Sequence, residues 1–204
     1  YVTTNGFKFD KEIADELAGL GVSRLSVSID SLDPAIHDEF RGKKGALKKA
    51  LEALEHANNG GMAAYMNITV GHYNAFTEDF ENMLKYSEEK GYTTLLNVAC
   101  PSGGWKNTAE VMVDENDKSR LIELRKKYKN IFRNIWNPLD KKFEQILGCN
   151  TVNRLYVTPL GDVLVCPYVH IKIGNIYENT LKEISEFGFS INRFRDYSNL
   201  CLAG

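Results

Sequence analysis

The stretch KGALKKALEALEHANNGGMAAYMNITV, residues 44–70, decides the fold class. Leu47, Ala50, Leu51, Leu54 and Ala57 recur at three- and four-residue spacing, which puts them on one face of a helix. Gly60-Gly61 stops that helix, since glycine takes left-handed backbone without steric cost. Ala64 to Val70 then reads as a strand. Helix, glycine, strand is the unit to look for on either side.

Upstream, Asp10 is positioned as an N-cap, Ile13, Leu17 and Leu20 form an apolar face, and Gly21 ends the helix. Ser23 to Ile29 follows as a strand in which Leu25, Val27 and Ile29 alternate with other residues. Downstream, Thr77 caps a helix carrying Phe80, Met83, Leu84 and Ser87, Gly91 ends it, and Thr94 to Ala99 is again a strand. A long loop and a helix with Leu121, Leu124 and Tyr128 come next. Tyr1-Val2-Thr3-Thr4 before Asn5-Gly6 reads as the end of a strand and, without an initiating Met, the chain reads as a fragment. Strands alternating with helices imply parallel crossovers, in a partial (β/α) barrel or a doubly wound sheet. Both put chemistry at the C-terminal strand ends: Asn5-Gly6, Ser28 to Asp30, Thr69 to Asn74, and Cys100 to Gly104.

Near Gly148 the pattern changes. Arg154 to Thr158 and Asp162 to Val165 flank the turn sequence Pro159-Leu160-Gly161-Asp162, which predicts a β-hairpin, and a short helix spans about Thr180 to Phe187. The expected organisation is an α/β unit over 1–147, a partial (β/α) barrel or a doubly wound sheet, and a small α+β module over 148–204. Composition excludes other classes. A net charge of −2 over 204 residues argues against a nucleic-acid footprint, and no apolar run approaches the roughly 20 residues that span a bilayer. Four scattered cysteines without a secretory signal suit reduced thiols and a cytoplasmic setting.

Several residues are placed to carry chemistry. The hairpin brings Cys149 and Cys166 together, and Cys201 can fold back to join them; soft thiolates of this kind bind iron–sulfur clusters, although inert thiols account for the spacing as well. Ser28 and Asp30, alternate residues at a strand end, point the same way and suit ribose hydroxyls; the plainer role is capping, with Asp30, Ser31 or Asp33 at the start of a helix beginning near Pro34. Asn67 and Thr69 alternate on the next strand and need polar partners there. Arg41 suits a bidentate carboxylate contact, while His37 reads as part of an exposed helix end.

Taken in order, these residues resemble a known family. Thr4-Asn5-Gly6, Ser28-Ile29-Asp30-Ser31-Leu32-Asp33-Pro34, His37-Asp38-Glu39-Phe40-Arg41-Gly42, Lys44-Gly45-Ala46, Asn67-Ile68-Thr69-Val70 with Asn74, and Pro101-Ser102-Gly103 resemble the radical S-adenosylmethionine (SAM) barrel from its third strand onward. Gly161-Asp162-Val163, Cys166-Pro167 and Gly174-Asn175-Ile176 resemble its auxiliary iron–sulfur module, called SPASM or, in a shorter form, twitch.

The resemblance implies an oxidoreductase or maturase in which a reduced [4Fe–4S] cluster cleaves SAM to a 5′-deoxyadenosyl radical that modifies a peptide, protein or cofactor precursor. It implies Ser28, Asp30, Asn67 and Arg41 as SAM-binding residues, and Cys149, Cys166 and Cys201 as ligands of an auxiliary [4Fe–4S] cluster. The C-x-x-x-C-x-x-C motif of the SAM-cleaving cluster is not in these residues, so that second cluster is expected in a part preceding Tyr1, and these residues alone are not expected to cleave SAM. An electron donor is implied as partner. Cys100, at the end of the sixth barrel strand, is a candidate hydrogen-atom donor to a substrate radical, with a small packed residue before Pro101 as the plainer account. A structural metal-binding or interaction domain on a barrel remnant is the alternative. An unrelated α/β enzyme is a third reading, disfavoured by the lack of a glycine-rich phosphate loop.

Overall fold

The computed structural model describes residues 1–105, 108–133, 151–196 and 202. The chain packs as two units, Tyr1–Ala99 with Val113–Asn134, and Cys100–Met112 with the remainder. The division expected near Gly148 lies outside the described residues.

The first unit runs β1 (Val2–Thr4), α1 (Lys11–Gly19), β2 (Arg24–Ser28), α2 (Pro34–Arg41), α3 (Ala46–Asn59), β3 (Ala63–Val70), α4 (Glu78–Glu89), β4 (Thr93–Val98), α5 (Glu115–Lys127) and β5 (Ile131–Arg133). All four strand pairs are parallel and the order is β1-β2-β3-β4-β5. That order separates the two architectures left open by periodicity. A doubly wound sheet reverses its strand order at a switch point, whereas right-handed crossovers between strictly successive strands put every helix on one face. The sheet is therefore an arc of a (β/α) barrel.

The two faces of the arc differ as this requires. Leu25, Val27, Ile29, Met66, Ile68 and Val70 are wholly buried, and α3 packs over them through Ala50, Ala53 and Leu54. Gly6 lets that helix come close: its φ is +76°, and an added Cβ would lie 2.9 Å from the Ala50 Cα. The opposite face carries Ser28, Tyr65, Asn67, Thr69 and Asn97, all half-buried. Asp10, Asp33, Thr77 and Asp114 cap α1, α2, α4 and α5 with their side chains. Of the three caps open to the helix at Pro34, Asp33 is the one used, its side chain accepting the Ala35 N–H.

In the second unit β6 (Tyr156–Val157), β7 (Asp162–Leu164) and β8 (Lys172–Asn175) form an antiparallel sheet in that order, followed by α6 (Leu181–Ser190) and α7 (Asn192–Arg195). The expected hairpin is present, turning at Gly161 (φ +81°), where a Cβ would meet the Tyr177 ring at 2.5 Å. The third strand was not anticipated. Val152, Val163, Val165, Ile173, Ile184 and Phe194 make the core of this unit, and Thr180 and Glu183 close a reciprocal cap on α6.

Candidate functional site

Parallel register brings the expected polar residues together. Ser28 lies beside Asn67, and Thr69 beside Asn97, across neighbouring strands. Since registered partners share a face, these four side chains line the C-terminal half of the open face. The Asn97 side-chain N–H₂ donates to Asn67 Oδ1, which turns the Asn67 amide so that its own N–H groups face away from that contact. Asn97 was missed in the sequence, although its alternation with Leu95 repeats that of Asn67 with Thr69. Ser26, on the same face one step deeper, is 1% exposed and its Oγ has no hydrogen-bond partner among the described residues.

Beyond β2, two candidates meet one another. Arg41 donates from Nε and Nη2 to the two carboxylate oxygens of Asp30, at 2.5 and 3.0 Å. The pair is largely covered, Asp30 being 13% and Arg41 28% exposed in their side chains. Its two-point geometry is the strong form of this contact, which fixes both groups in direction as well as distance. His37 is buried at 1% exposure, contrary to its reading as an exposed helix end, and its Nδ1 accepts the Asp30 N–H at 3.1 Å. Burial holds the His37 pKa below the ordinary imidazole value, with Asp30 opposing the shift. Asp38 caps α3 by accepting the N–H groups of Gly45 and Leu47, and the Leu47 contact leads in lowering its pKa. The His37 to Ala46 motif thus knits β2, α2 and α3 into one loop structure.

The next strand end is tied by Asn74, whose Oδ1 accepts the Gly71 N–H and whose Nδ2 donates to the Thr69 carbonyl. Desolvation, with the Asp30 charge adding to it, pushes the Tyr73 phenol up to about 12, so it stays protonated. Nearby, His72 Nδ1 lies 2.9 Å from Asp117 Oδ2, beside an open cavity of about 410 Å³ lined in part by His72, Asp114 and Arg120. His72, Asp114 and Asp117 have ligand-type atoms within 4.8 Å of one another. The arrangement is a helix cap: the same Asp117 oxygen accepts the Asp114 N–H, and Asp114 accepts the Asp117 N–H.

Of the cysteines, Cys100 is buried two residues past β4, and its carbonyl accepts the Ser102 N–H. Cys166 follows β7, is half-buried, and its Sγ accepts the Tyr168 N–H at 3.5 Å. Cys149 and Cys201 lie outside the described residues.

Comparison with known proteins now bears on this arrangement. Residues 1–87 match the Radical SAM superfamily, and residues 149–202 match an iron-sulfur cluster-binding domain, SPASM. Over these two segments the chain resembles radical SAM proteins that carry an auxiliary iron–sulfur module. Among curated relatives, an AdoMet-dependent heme synthase of Methanosarcina barkeri is 27% identical over 98% of the chain and 63% of the relative. A probable GTP 3′,8-cyclase of Sulfolobus acidocaldarius is 27% identical over 86% of the chain and 58% of the relative. The fold is that of anSMEcpe with bound AdoMet, at a TM-score of 0.65 and 19% identity over 95% of the chain and 56% of that protein. The same protein with bound AdoMet and Cp18Cys peptide also matches, at a TM-score of 0.65 and 18% identity over 95% of the chain and 57% of that protein. The chain thus spans about six-tenths of the length of these curated relatives. No helix among its described residues is long and apolar enough to cross a membrane.

Proposed function

We propose that this chain supplies the SAM-binding strand ends and the auxiliary-cluster module of an enzyme that modifies a peptide, a protein or a cofactor precursor through radical chemistry. The observation that carries this reading is the half-buried row of Ser28, Asn67, Thr69 and Asn97 at the C-terminal end of the open barrel face. Hydroxyls and amides in that setting suit the hydroxyls and ring edge of a nucleoside, and the orphaned Ser26 Oγ marks the same face as one made to meet a ligand. Ser28 and Asn67 hold the ribose and adenine portion, with Asp30 beside them. Asp30 occupies one edge of the Arg41 guanidinium; the remaining N–H groups of Arg41 are the donors for the methionine carboxylate.

When bound, SAM and its reducing cluster supply the radical, and the protein positions them and excludes water. In the second unit Cys166, with Cys149 and Cys201, is assigned to the auxiliary cluster. The backbone N–H at Cys166 Sγ favours a thiolate over a neutral thiol, as cluster ligation requires. Cys100 is retained as the hydrogen-donor candidate. The relatives' names point to both peptide-bound and small-molecule chemistry, so substrate class remains as broad as stated.

Anaerobic iron and sulfide analysis after reconstitution tests the module. About four irons and four sulfides, lost on replacing Cys149, Cys166 and Cys201 by Ala, are expected. Zinc without sulfide would favour the structural-metal alternative. Calorimetric SAM binding tests the strand ends: Ser28→Ala and Asn67→Ala are each expected to weaken it by about tenfold, the value of one hydrogen bond. Unchanged affinity in both would remove these residues from the site.

A further inference from the structure

We propose that His37 is a positioning residue for the end of β2, its neutral Nδ1 accepting the Asp30 backbone N–H and so fixing the direction in which the Asp30–Arg41 pair leaves the strand. The inference rests on the reading of that strand end as the SAM site, although its structural part stands without it.

A backbone N–H can only donate, so the 3.1 Å contact obliges Nδ1 to be the unprotonated nitrogen. The neutral ring therefore carries its proton on Nε2. At 1% exposure His37 has no water to substitute for this partner, and an unpaired Asp30 N–H would be left facing it. The charged groups around the ring are Asp30, with Oδ2 3.6 Å from Nδ1, and Arg41 and Asp38 from α2. Tyr73 bears on Asp30 from the β3 end and stays neutral through the ordinary pH range.

Asp30 thus has two independent restraints. Arg41 holds its carboxylate by two donors, and His37 holds its main chain. Protonation of His37 would convert the acceptor into a second N–H opposite the first. The main-chain restraint is then lost, and the imidazolium competes with Arg41 for the carboxylate. Burial places this event on the acid side of ordinary imidazole titration. The strand end is expected to loosen in mild acid while the sheet beneath it persists.

Nitrogen-15 NMR of the full chain is the direct test. At neutral pH the His37 ring is expected as the Nε2–H tautomer with an unprotonated, hydrogen-bonded Nδ1. An Nδ1–H tautomer would overturn the proposal without any variant. Two substitutions separate positioning from simple packing. His37→Ala is expected to speed exchange of the Asp30 amide about tenfold or more and to weaken SAM binding by about the same factor. His37→Asn, whose Oδ1 can accept at the place of Nδ1, is expected to restore both to within about threefold and to abolish the acid-side loss of affinity. Equal Asp30 exchange in wild type and His37→Ala would sink the proposal. Faster exchange in a chain whose wild type binds no SAM would sustain the positioning role and defeat the cofactor reading instead.

Discussion

The barrel unit and the hairpin module bury apolar side chains on different scales. Among the described residues, the barrel unit sequesters Leu25, Val27, Ile29, Leu54, Met66, Ile68, Phe80, Met83, Leu84, Leu121 and Leu124 at no more than 1% exposure. Among the described residues of the module, six from Val152 to Phe194 form a buried core, while Leu160, Tyr177, Leu181 and Phe187 stand more than half exposed. Each fully buried side chain of this kind contributes about 1.5–3 kcal/mol, so the described residues of the first unit supply far more of this term than those of the second. Domains of fewer than about 70 residues commonly need a metal or disulfide staple. The auxiliary cluster proposed for the module is therefore expected to serve its folding, whereas SAM binding at the proposed strand ends is expected to add little to a barrel already packed.

The largest effect should follow from that asymmetry. Replacing Cys166 by Ala, or stripping the reconstituted protein with an iron chelator, is expected to abolish protection of the β7 and β8 amides by more than a hundredfold. Hydrogen exchange read by mass spectrometry checks this. Full protection of β7 and β8 in the metal-free protein would show that six core residues suffice and would break the comparison.

The barrel unit is expected to lose stability through packing instead. Gly6→Ala forces a Cβ to 2.9 Å from the Ala50 Cα at a φ of +76°, and neither backbone can yield without moving α3 off β2. Left-handed strain of about 1–2 kcal/mol and overpacking of about 1–3 kcal/mol predict a loss of about 2–5 kcal/mol in urea unfolding. A loss under 1 kcal/mol would mean that α3 sits less firmly than the apolar face requires.

Asn175→Ala makes the corresponding test in the module. Asn175 is 8% exposed; its Nδ2 donates to the Leu160 carbonyl and to Asp162 Oδ1, and its Oδ1 accepts the Tyr177 N–H. Removing it takes away three hydrogen bonds at the hairpin turn, and because Leu160 and Tyr177 are exposed, water can replace part of them, so a loss of about 1 kcal/mol is expected. In the cluster-bound protein this is expected as faster exchange at Gly161 and Tyr177. The Gly174-Asn175-Ile176 motif is thus a scaffold for the turn.

Much of this was legible in the sequence, for identifiable reasons. Periodicity and glycine stops located β2, β3, β4 and the helices between them because each helix has one apolar face and each crossover ends in a cap. Periodicity alone could not choose barrel over doubly wound sheet, since strand order is a property of long-range pairing. β8 escaped notice because Lys172 to Asn175 offers one buried apolar side chain, Ile173, and a glycine. His37 was misjudged because Asp38 and Glu39 beside it read as a solvated helix end; only the fold brings Asp30 and Arg41 over it. At the site, Ser28, Asn67 and Thr69 stood out as polar residues in strands, but the meeting of Asp30 with Arg41 needed a loop geometry that spacing does not encode.

The smallest predicted effect lies at the α5 cap. Asp117 is wholly buried, and His72, 55% exposed, supplies the positive partner at 2.9 Å. The Asp117 hydrogen bond is the main reason that the His72 pKa is raised above the ordinary value of about 6.5. A raised folded-state value means that the folded chain binds the proton more tightly than the unfolded one. The stabilisation is then fully present below about pH 6.5 and is lost as pH rises through the folded value. Because His72 is exposed, screening keeps the effect slight and makes it smaller in high salt. The His72→Gln variant is expected to lose this alkaline-side decline in thermal stability while keeping the Asp114–Asp117 cap. An identical pH slope in wild type and His72→Gln would show that the cap neutralises its own buried carboxylate, through the backbone donors at the start of α5, without help from the imidazole.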